Sequence, residues 1–175
     1  IGLLVGRFQP FHLGHLRAVR FALEKVELLY LVVGSAEKSH QPNNPFTAGE
    51  RIKMIKTSLD DAGVDCRRWL IIPVPDAKAH SIWIARIDSL LPGYDVVFSN
   101  DPLTLRLFQE KGVKTVKVPY HKREAYSATE VRRRMIRDEK WEELVPNPVV
   151  EIVRKVGGVG RLKTLWRDME KNSRR

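Results

Sequence analysis

The pattern of apolar and polar positions predicts a chain in which strands and helices alternate. Short continuous apolar runs predict five strands, at residues 1–6, 28–33, 69–74, 95–99 and 113–118. Helical spacing between them predicts helices at 14–26, 48–62, 80–91 and 102–111, and further helical regions at 127–137 and 146–170. Thr47 and Glu50 are predicted to form a capping box where the second of these helices begins.

Five strands with helices between them favour an α/β fold, in which helices cover both faces of one mostly parallel sheet of five or slightly more strands. At 175 residues the chain is predicted to be a single domain, with an α/β core at 1–137 and a helical C-terminal segment at 138–175. Ligands of such sheets bind beyond the carboxyl ends of the strands. The candidate site is therefore formed by the loops at 7–13, 34–46, 75–80, 99–101 and 119–127.

Composition excludes several classes of protein. Hydrophobic residues make up 43% of the chain, which argues against disorder, and no apolar run approaches the roughly 18 residues of a membrane-spanning helix. The N-terminus lacks the basic flank of a signal peptide, so we expect a cytoplasmic protein with no membrane partner. The single cysteine, Cys66, allows no internal disulfide and is expected on an exposed loop.

The net charge of +10 is carried by two segments, 114–137 and 151–175. Such charge suggests either nucleic acid or a smaller anionic ligand. The second segment is predicted to be a solvated helix face or an oligomer contact; its basic residues include Arg161, Lys163, Arg167, Lys171, Arg174 and Arg175. The chain lacks helix-turn-helix and single-strand-binding signatures, so we expect no nucleic-acid partner.

The first predicted strand is followed by the segment GRFQPFHLGH at residues 6–15 and then by a helix. The chain contains neither the Gly-x-Gly-x-x-Gly fingerprint of dinucleotide-binding proteins nor a P-loop. Instead, His12 and His15 flank Gly14 at a helix N-terminus, where free N–H groups and the helix dipole favour an anion. Both imidazoles can donate to the same phosphate, and Gly14 permits close approach of a ligand. A zinc pair and two surface histidines are the alternative interpretations.

A second helix start follows at residues 127–132, which read SATEVR. Ser127 is a good N-cap and Glu130 completes a predicted capping box, which alone explains both residues structurally. The three arginines at 132–134 spread around the next helical turn, and we expect at least one to return to the side of the helix start. Hydroxyls, backbone N–H groups and a guanidinium together form a cradle for a triphosphate.

The two segments together resemble the motifs (H/T)xGH and ISTGTSR of the nucleotidylyltransferase superfamily. In this chain the pattern GxFxPxHxGH at 6–15 is paired with SxTxxR at 127–132. Residues 34–36, 39–40, 44–51, 83 and 126–135 are in addition similar to archaeal nicotinamide-nucleotide adenylyltransferases. The resemblance covers nearly the whole chain, and it implies a Rossmann-like domain and commonly a homo-hexamer.

The resemblance also implies a reaction, the Mg²⁺-dependent condensation of ATP with nicotinamide mononucleotide (NMN) to give NAD and pyrophosphate. Direct in-line attack by a substrate phosphate needs alignment and charge stabilisation, but it needs no protein nucleophile and no covalent enzyme intermediate. The absence of a convincing Ser/His/Asp or Cys/His set fits that chemistry. No carboxylate cluster is evident, so Mg²⁺ is expected mainly on the ATP phosphates rather than on protein ligands.

Matching the motif positions implies a role for each candidate residue. The catalytic group comprises His12, His15, Arg7 and Arg132, and the ATP-binding group comprises Gly6, Phe8, Gly14, Ser127 and Thr129. The acceptor nucleotide is assigned to Trp83, Phe46, Thr47, Ser39 and His40. Trp83 is expected to stack on the nicotinamide ring, although it lies in an aliphatic stretch for which core packing is the alternative.

Two other functions stay open at this point. An adenylyl- or cytidylyltransferase for another phosphate acceptor, such as phosphopantetheine or flavin mononucleotide, would share both phosphate motifs. An RNA-binding or nucleotide-sensing module that uses the basic segments is the more remote alternative. The preference between NMN and nicotinate mononucleotide leaves no residue signature.

Overall fold

The computed structural model describes residues 1–119 and 126–173, and within them five strands form one sheet. The strands are β1 (Gly2–Gly6), β2 (Leu29–Val33), β3 (Trp69–Pro73), β4 (Val96–Phe98) and β5 (Lys114–Val116). Their order is β3-β2-β1-β4-β5, and every pairing is parallel. The predicted five-stranded parallel sheet is thereby confirmed, with small shifts in the strand bounds.

Seven α-helices lie in the described part of the chain. They are α1 (Leu13–Leu23), α2 (Ala48–Asp61), α3 (His80–Leu90), α4 (Pro102–Glu110), α5 (Ala128–Ile136), α6 (Asn147–Lys155) and α7 (Gly158–Ser173). α1 ends earlier than predicted, at a turn where the Arg68 guanidinium binds the carbonyl oxygens of Leu23 and Val26 at 2.7 and 2.8 Å. The predicted helical region at 146–170 is divided between α6 and α7 at Gly157, whose φ of 62° suits glycine.

Alternate residues along each strand pack on opposite faces of the sheet. Leu4 of β1 belongs to a core cluster that contains buried residues of α1, α2, α5 and α6. Its neighbour Leu3 packs instead with Ile87 of α3 and Phe108 of α4. Side chains of successive strand residues point to opposite faces of the sheet. A sheet that is apolar on both faces therefore needs helices on both sides.

The sheet winds outward from β1 in both directions. β2 and β3 lie on one side of β1, and β4 and β5 lie on the other. A doubly wound sheet opens a crevice where the winding reverses, here beyond the carboxyl ends of β1 and β4. The predicted loops 7–13, 34–46, 75–80 and 99–101 follow strands at this edge, whereas residues 120–125 of the predicted 119–127 loop lie outside the described residues.

The basic C-terminal segment is partly folded back onto the core. Arg161 of α7 binds the Glu50 carboxylate through two contacts of 2.8 Å. Lys163 pairs with Asp138 at 2.5 Å. Arg161 therefore packs against the protein rather than on a solvated face, whereas the ion pair of Lys163 lies at the surface. Residues 174–175 lie outside the described part of the chain.

Two expectations from composition can be compared with the fold. Cys66 is exposed and free, as predicted, and lies in a short 3₁₀ turn that Asp65 caps before β3. Among the helices that the structure describes, none combines the length and the apolar character needed to cross a membrane.

Candidate active site

The two motif histidines form a locked pair at the start of α1. His12 is the N-cap residue, and its Nδ1 accepts a hydrogen bond from the His15 backbone N–H at 3.3 Å. The His15 Nδ1 accepts in return from the His12 backbone N–H, also at 3.3 Å, and the ring centroids lie 3.6 Å apart. Because each Nδ1 is an acceptor, each neutral ring carries its proton on Nε2. The two Nε2–H groups are thus the donors that the pair can offer to a ligand.

Burial keeps both imidazoles neutral. Burial and the nearby Arg132 guanidinium lower the pKa of His12 to about 3. Burial and the neighbouring His12 likewise hold the pKa of His15 well below its usual value. Arg132 is 8% exposed, and burial together with Arg7 lowers its pKa to about 10, so it stays charged at neutral pH. The site therefore offers two neutral hydrogen-bond donors beside a cation.

Aromatic packing explains the glycines and the phenylalanine of the first motif. The Phe8 ring is almost fully buried and packs edge-on against the His15 ring, with centroids 4.8 Å apart. A Cβ at Gly6 would lie 2.8 Å from the Phe8 ring, and a Cβ at Gly14 would lie 3.1 Å from the Tyr126 carbonyl oxygen. A side chain at Gly6 would thus displace the Phe8 ring, and one at Gly14 would fit tightly. The ligand approach expected at Gly14 stays a prediction.

Arg132 joins the two motifs, which are far apart in the sequence. Its Nη1 donates to the carbonyl oxygen of Gln9 at 2.8 Å, across 123 positions. Ser127 is the N-cap of α5 and accepts from a backbone N–H at 3.1 Å. Between the motifs lies a cavity of about 280 Å³, termed here the phosphate cavity. Its lining includes Arg7, His12, His15, Ser127, Thr129 and Arg132.

The two neighbouring arginines bind a carboxylate instead. Arg133 and Arg134 bind Glu130 at 2.7 and 2.8 Å, and these bonds lower the pKa of Glu130 to about 2. The predicted capping box of α5 is therefore incomplete, since Ser127 caps the helix but the Glu130 carboxylate binds arginines rather than the N-cap N–H. Arg132 lines the phosphate cavity together with Ser127 and so returns to the side of the helix start, as predicted for at least one of the three.

A second cavity of about 230 Å³ adjoins the phosphate cavity, because His12 and His15 line both. Ala18 of α1 contributes to its apolar lining. Asn100 joins the ends of β4 and β5 there, since its side-chain amide donates to the Val118 carbonyl at 2.9 Å and accepts from the Val118 N–H at 3.1 Å. A mostly apolar cavity with a few polar groups suits a nucleobase and its ribose, so it is termed the nucleoside cavity.

A third cavity, of about 640 Å³, shares Arg7 with the phosphate cavity. Trp83 lines it with a half-buried indole that packs edge-on against Phe108, with centroids 6.3 Å apart. The indole thus borders both the hydrophobic core and open space, as a stacking plate requires. This space is termed the acceptor cavity.

Several polar residues of the acceptor cavity were given no role in the sequence analysis, three of which form a hydrogen-bonded group. Ser35, Lys38 and Asp76 line it; Lys38 Nζ lies 2.6 Å from the Asp76 carboxylate, and the Ser35 hydroxyl donates to that carboxylate at 3.0 Å. Burial opposes ionisation of Asp76, but the hydrogen bonds from Lys38 and Ser35 lower its pKa overall. The signal that could have found them is position, because they follow β2 and β3 within the predicted loops.

Four residues assigned to the acceptor lie outside the acceptor cavity. Phe46 is fully buried, and its backbone C=O and N–H bind the Gln9 side-chain amide at 2.8 and 2.9 Å. The Thr47 hydroxyl caps α2. His40 is exposed, and its Nδ1 lies 3.0 Å from the Ser39 Oγ. The structure does not bring these four side chains to the acceptor cavity, and their contact with the acceptor stays a prediction.

The described residues contain no cluster of three or more His, Cys, Asp or Glu side chains arranged to hold a metal ion. The zinc-pair interpretation of His12 and His15 also conflicts with their geometry. Both Nδ1 atoms accept backbone hydrogen bonds and the rings stack on each other.

Comparison with known proteins first defines the class. A family model described as cytidylyltransferase-like matches residues 3–134, a range that contains both phosphate motifs. A bifunctional NMN adenylyltransferase/ADP ribose pyrophosphatase from Francisella tularensis, solved with AMP and a manganese ion, shares the fold with a TM-score of 0.80 and 21% identity. The match covers 99% of this chain, which spans about half (54%) of that protein. The fold and the motifs together define a nucleotidyltransferase of the cytidylyltransferase-like class.

Curated relatives narrow that class. The nicotinamide-nucleotide adenylyltransferase of Thermococcus sibiricus is 43% identical over 173 residues, which cover 99% of this chain and 93% of the relative. Two further relatives have the same name. The protein from Methanolobus tindarius is 45% identical, and the match covers 92% of this chain and 91% of the relative. The protein from Pyrococcus horikoshii is 44% identical, and the match covers 99% of this chain and 92% of the relative. The chain belongs to the family of nicotinamide-nucleotide adenylyltransferases.

Proposed function

We propose that this chain transfers the adenylyl group of ATP to NMN and so forms NAD and pyrophosphate. The observation that carries the proposal is the hydrogen bond from Arg132 to the Gln9 carbonyl, which joins the two motifs around the phosphate cavity. That cavity shares residues with both the nucleoside cavity and the acceptor cavity. Adenylyl transfer requires two nucleotides whose phosphates meet. A phosphate cavity between two spaces that can each hold a nucleoside provides that arrangement.

The reaction proposed is an in-line displacement at the α-phosphorus of ATP. An oxygen of the NMN phosphate forms a bond to that phosphorus, and the bond from phosphorus to the oxygen bridging to the β-phosphate breaks. The electron pair of the broken bond leaves with pyrophosphate. The protein therefore contributes alignment and charge stabilisation rather than a covalent intermediate.

Each group of the phosphate cavity has a part in that displacement. His12 and His15 donate from Nε2 to the α-phosphate, and their locked rings need no reorientation as charge develops. Ser127, Thr129 and Arg132 hold the β- and γ-phosphates, where the guanidinium supplies a charged fork. Arg7 assists from its position on the lining of both the phosphate cavity and the acceptor cavity.

The two nucleosides occupy the flanking cavities. The adenosine of ATP lies in the nucleoside cavity beside Gly14. Gly6 and Phe8 contact ATP through backbone atoms, because the Phe8 ring is buried. The nicotinamide ring of NMN stacks on Trp83 in the acceptor cavity.

The donor set fits a Mg²⁺ ion held mainly by the substrate phosphates. Nucleotide sites commonly bind Mg²⁺ through substrate phosphates, waters and one or two carboxylates. Asp101 is a carboxylate that lines both the nucleoside and the acceptor cavity. When bound, the ion neutralises phosphate charge, and the manganese ion in the Francisella tularensis protein supports the use of a divalent metal.

A pyrophosphate-release assay tests the function. Purified protein is mixed with ATP and one acceptor at a time, from NMN, nicotinate mononucleotide, phosphopantetheine and flavin mononucleotide. We expect pyrophosphate and NAD with NMN. Comparing the rates with NMN and with nicotinate mononucleotide measures whether the enzyme prefers an amide or a carboxylate on the pyridine ring. Turnover with phosphopantetheine or flavin mononucleotide and none with NMN would overturn the proposal. Steeply salt-dependent RNA affinity without adenylyl transfer would instead support an RNA-binding module.

The assembly is expected from the family resemblance and the cytoplasmic location from the composition of the sequence, and both stay predictions. The chain is expected to form a homo-oligomer, a hexamer by that resemblance, which light scattering of the purified protein measures. The cytoplasmic location is tested by fractionation of cells that produce the protein.

A further inference from the structure

A cleft of about 500 Å³ lies between α5 and α7 and is termed here the α5–α7 cleft. Thr129 and Arg132 line both this cleft and the phosphate cavity. The turn at Pro42 and Asn43 adds to its lining. Because the two shared residues are those assigned to the β- and γ-phosphates, the cleft begins where the phosphate chain of ATP ends.

The residues that α5 contributes to the cleft lie on one face of the helix. They recur every three or four positions and end at the C-cap residue: Thr129, Arg132, Arg133, Ile136 and Arg137. At 1.5 Å per residue, this row extends for ~12 Å along the helix axis. The cleft therefore continues from the phosphate cavity along most of α5 and leaves space for a longer phosphate chain.

Two of the three arginines in this row have N–H groups that can bind an anion. Arg132 is 8% exposed, and within the described residues only one of its five N–H donors has an acceptor, the Gln9 carbonyl oxygen. The guanidinium of Arg137 is exposed and makes no hydrogen bond or ion pair in the described part of the chain. Arg133 is neutralised by two carboxylates, each at 2.7 Å, so it is given no part in binding.

The side of the cleft formed by α7 presents an indole and a carboxylate. Trp166 is half-buried, and its Nε1 donates to Glu170 at 3.1 Å. Among the described residues that line the cleft, Glu170 alone is acidic, and its charge repels an anion. The two arginines with unpaired N–H groups exceed this one carboxylate, so the cleft as a whole favours an anion.

We propose that the α5–α7 cleft binds the phosphate groups of a donor beyond its γ-phosphate, so that the enzyme also takes adenylyl groups from nucleoside polyphosphates longer than ATP. The inference rests on the proposed function, which assigns the β- and γ-phosphates to Ser127, Thr129 and Arg132. A fourth phosphate then lies in the cleft, where the Arg137 guanidinium binds it.

The chemistry is the same displacement with a longer leaving group. With adenosine 5′-tetraphosphate as donor, an oxygen of the NMN phosphate forms a bond to the α-phosphorus. The bond from that phosphorus to the oxygen bridging to the β-phosphate breaks, and its electron pair leaves with tripolyphosphate. The products are therefore NAD and tripolyphosphate in equal amounts.

The test compares ATP with adenosine 5′-tetraphosphate as donors for NMN. Ion chromatography separates pyrophosphate from tripolyphosphate, because the released polyphosphate identifies the bond that breaks. The variants are Arg137→Ala and Glu170→Gln, both at exposed positions, and melting temperatures check their fold. Arg154→Ala is the matched control, since Arg154 is an exposed arginine of α6 that lines neither the cleft nor the three cavities.

The wild type should form NAD and tripolyphosphate from the tetraphosphate. Arg137→Ala should raise the KM for the tetraphosphate roughly three- to tenfold and change the KM for ATP less than about twofold, because only the longer chain reaches Arg137. Glu170→Gln should lower the KM for the tetraphosphate and leave that for ATP unchanged, because it removes a repelling charge. Arg154→Ala should change neither constant.

Release of pyrophosphate and phosphate from the tetraphosphate would overturn the proposal, since the donor would then be shortened to ATP before transfer. So would tetraphosphate KM values in Arg137→Ala and Glu170→Gln that equal the wild-type value, because the fourth phosphate would then extend into solvent.

The inference and the proposed function fail in different ways. If ATP and NMN give NAD but the tetraphosphate gives none, the inference is overturned and the proposed function stands. If the wild-type chain turns over another phosphate acceptor and no NMN, the proposed function fails separately, and the two donors are compared with that acceptor.

Discussion

The phosphate cavity and the acceptor cavity share Arg7 but are built in different ways. The phosphate cavity is formed at two helix starts, capped by His12 and Ser127, where the polar groups occupy short continuous segments. The acceptor cavity takes its polar side chains from separate loops, among them Lys38 and Asp76, which meet in an ion pair. Phosphate recognition is therefore encoded locally, whereas acceptor recognition depends on how distant loops pack.

The largest expected effect comes from removing a donor of the phosphate cavity. His12→Ala and His15→Ala should each lower kcat by a factor on the order of 10²–10³, because donors aimed at developing charge act mainly in the transition state. The KM for ATP should rise far less. Steady-state rates of NAD formation measure both constants, and circular dichroism checks the fold.

His40→Ala is the matched control for the histidine variants, since His40 is exposed and lies outside the three cavities. It should keep a kcat close to that of the wild type, because a contact between His40 and the acceptor would alter only the KM for NMN. Near-normal turnover in both His12→Ala and His15→Ala would show that the locked pair does not stabilise the transition state, and the difference between the two cavities would lose its main support.

Arg132 should affect ground-state binding as well as the rate. Arg132→Ala is expected to raise the KM for ATP roughly ten- to hundredfold, the range for losing a hydrogen-bonded charge, and Arg132→Lys should recover only part of it. Arg133→Ala is the control, because Glu130 binds Arg133 away from the phosphate cavity. Equal ATP constants in Arg132→Ala and Arg133→Ala would contradict the assignment of Arg132 to the β- and γ-phosphates.

Burial of His12 should also make the fold sensitive to acid. The pKa of His12 is lowered from 6.5 to about 3 in the folded chain, so between these values the unfolded chain binds a proton that the native state does not. Stability should therefore be intact above pH 6.5 and decrease as the pH falls through that window. Melting temperatures across this range should fall more steeply for the wild type than for His12→Asn, which keeps an N-cap acceptor without titrating. Parallel curves would show that His12 is not buried as the structure indicates.

Much of the phosphate cavity could be predicted from the sequence because its residues are nearly consecutive. Helical spacing predicted that at least one of three arginines would return to the side of the helix start. That this residue is Arg132 depends on Glu130 binding Arg133 and Arg134, and on a Gln9 carbonyl at 2.8 Å. Helical spacing alone does not specify these partners, and it was the resemblance of SxTxxR to the family motif that singled out Arg132.

The acceptor side could be predicted less well for the same physical reason. Phe46 belongs to a segment that resembles the family, yet its ring packs so closely on α7 that a Cβ at Gly158 would lie 2.7 Å from it. Ser35 and Lys38, on the other hand, line the acceptor cavity after a turn in which Ser35 has a φ of 49°. Neither a contact between segments more than a hundred residues apart nor a positive φ at a serine leaves a signal in the hydrophobic pattern.

The smallest expected effect tests the acceptor cavity alone. Trp83→Ala should raise the KM for NMN roughly two- to tenfold, as stacking contributes about 0.5–1.5 kcal/mol beyond area burial, and should leave the KM for ATP nearly unchanged. Trp83→Phe keeps an aromatic face and should recover part of the loss. Because Trp83 also packs against Phe108, Trp83→Ala should lower the melting temperature as well.

Trp69→Leu separates the effect on acceptor binding from the effect on stability. Trp69 is buried in β3 and lines none of the three cavities, so its replacement should lower the melting temperature without changing either KM. If Trp83→Ala raises both KM values equally, Trp83 is a core residue, and the acceptor base must be recognised by other groups of the cavity.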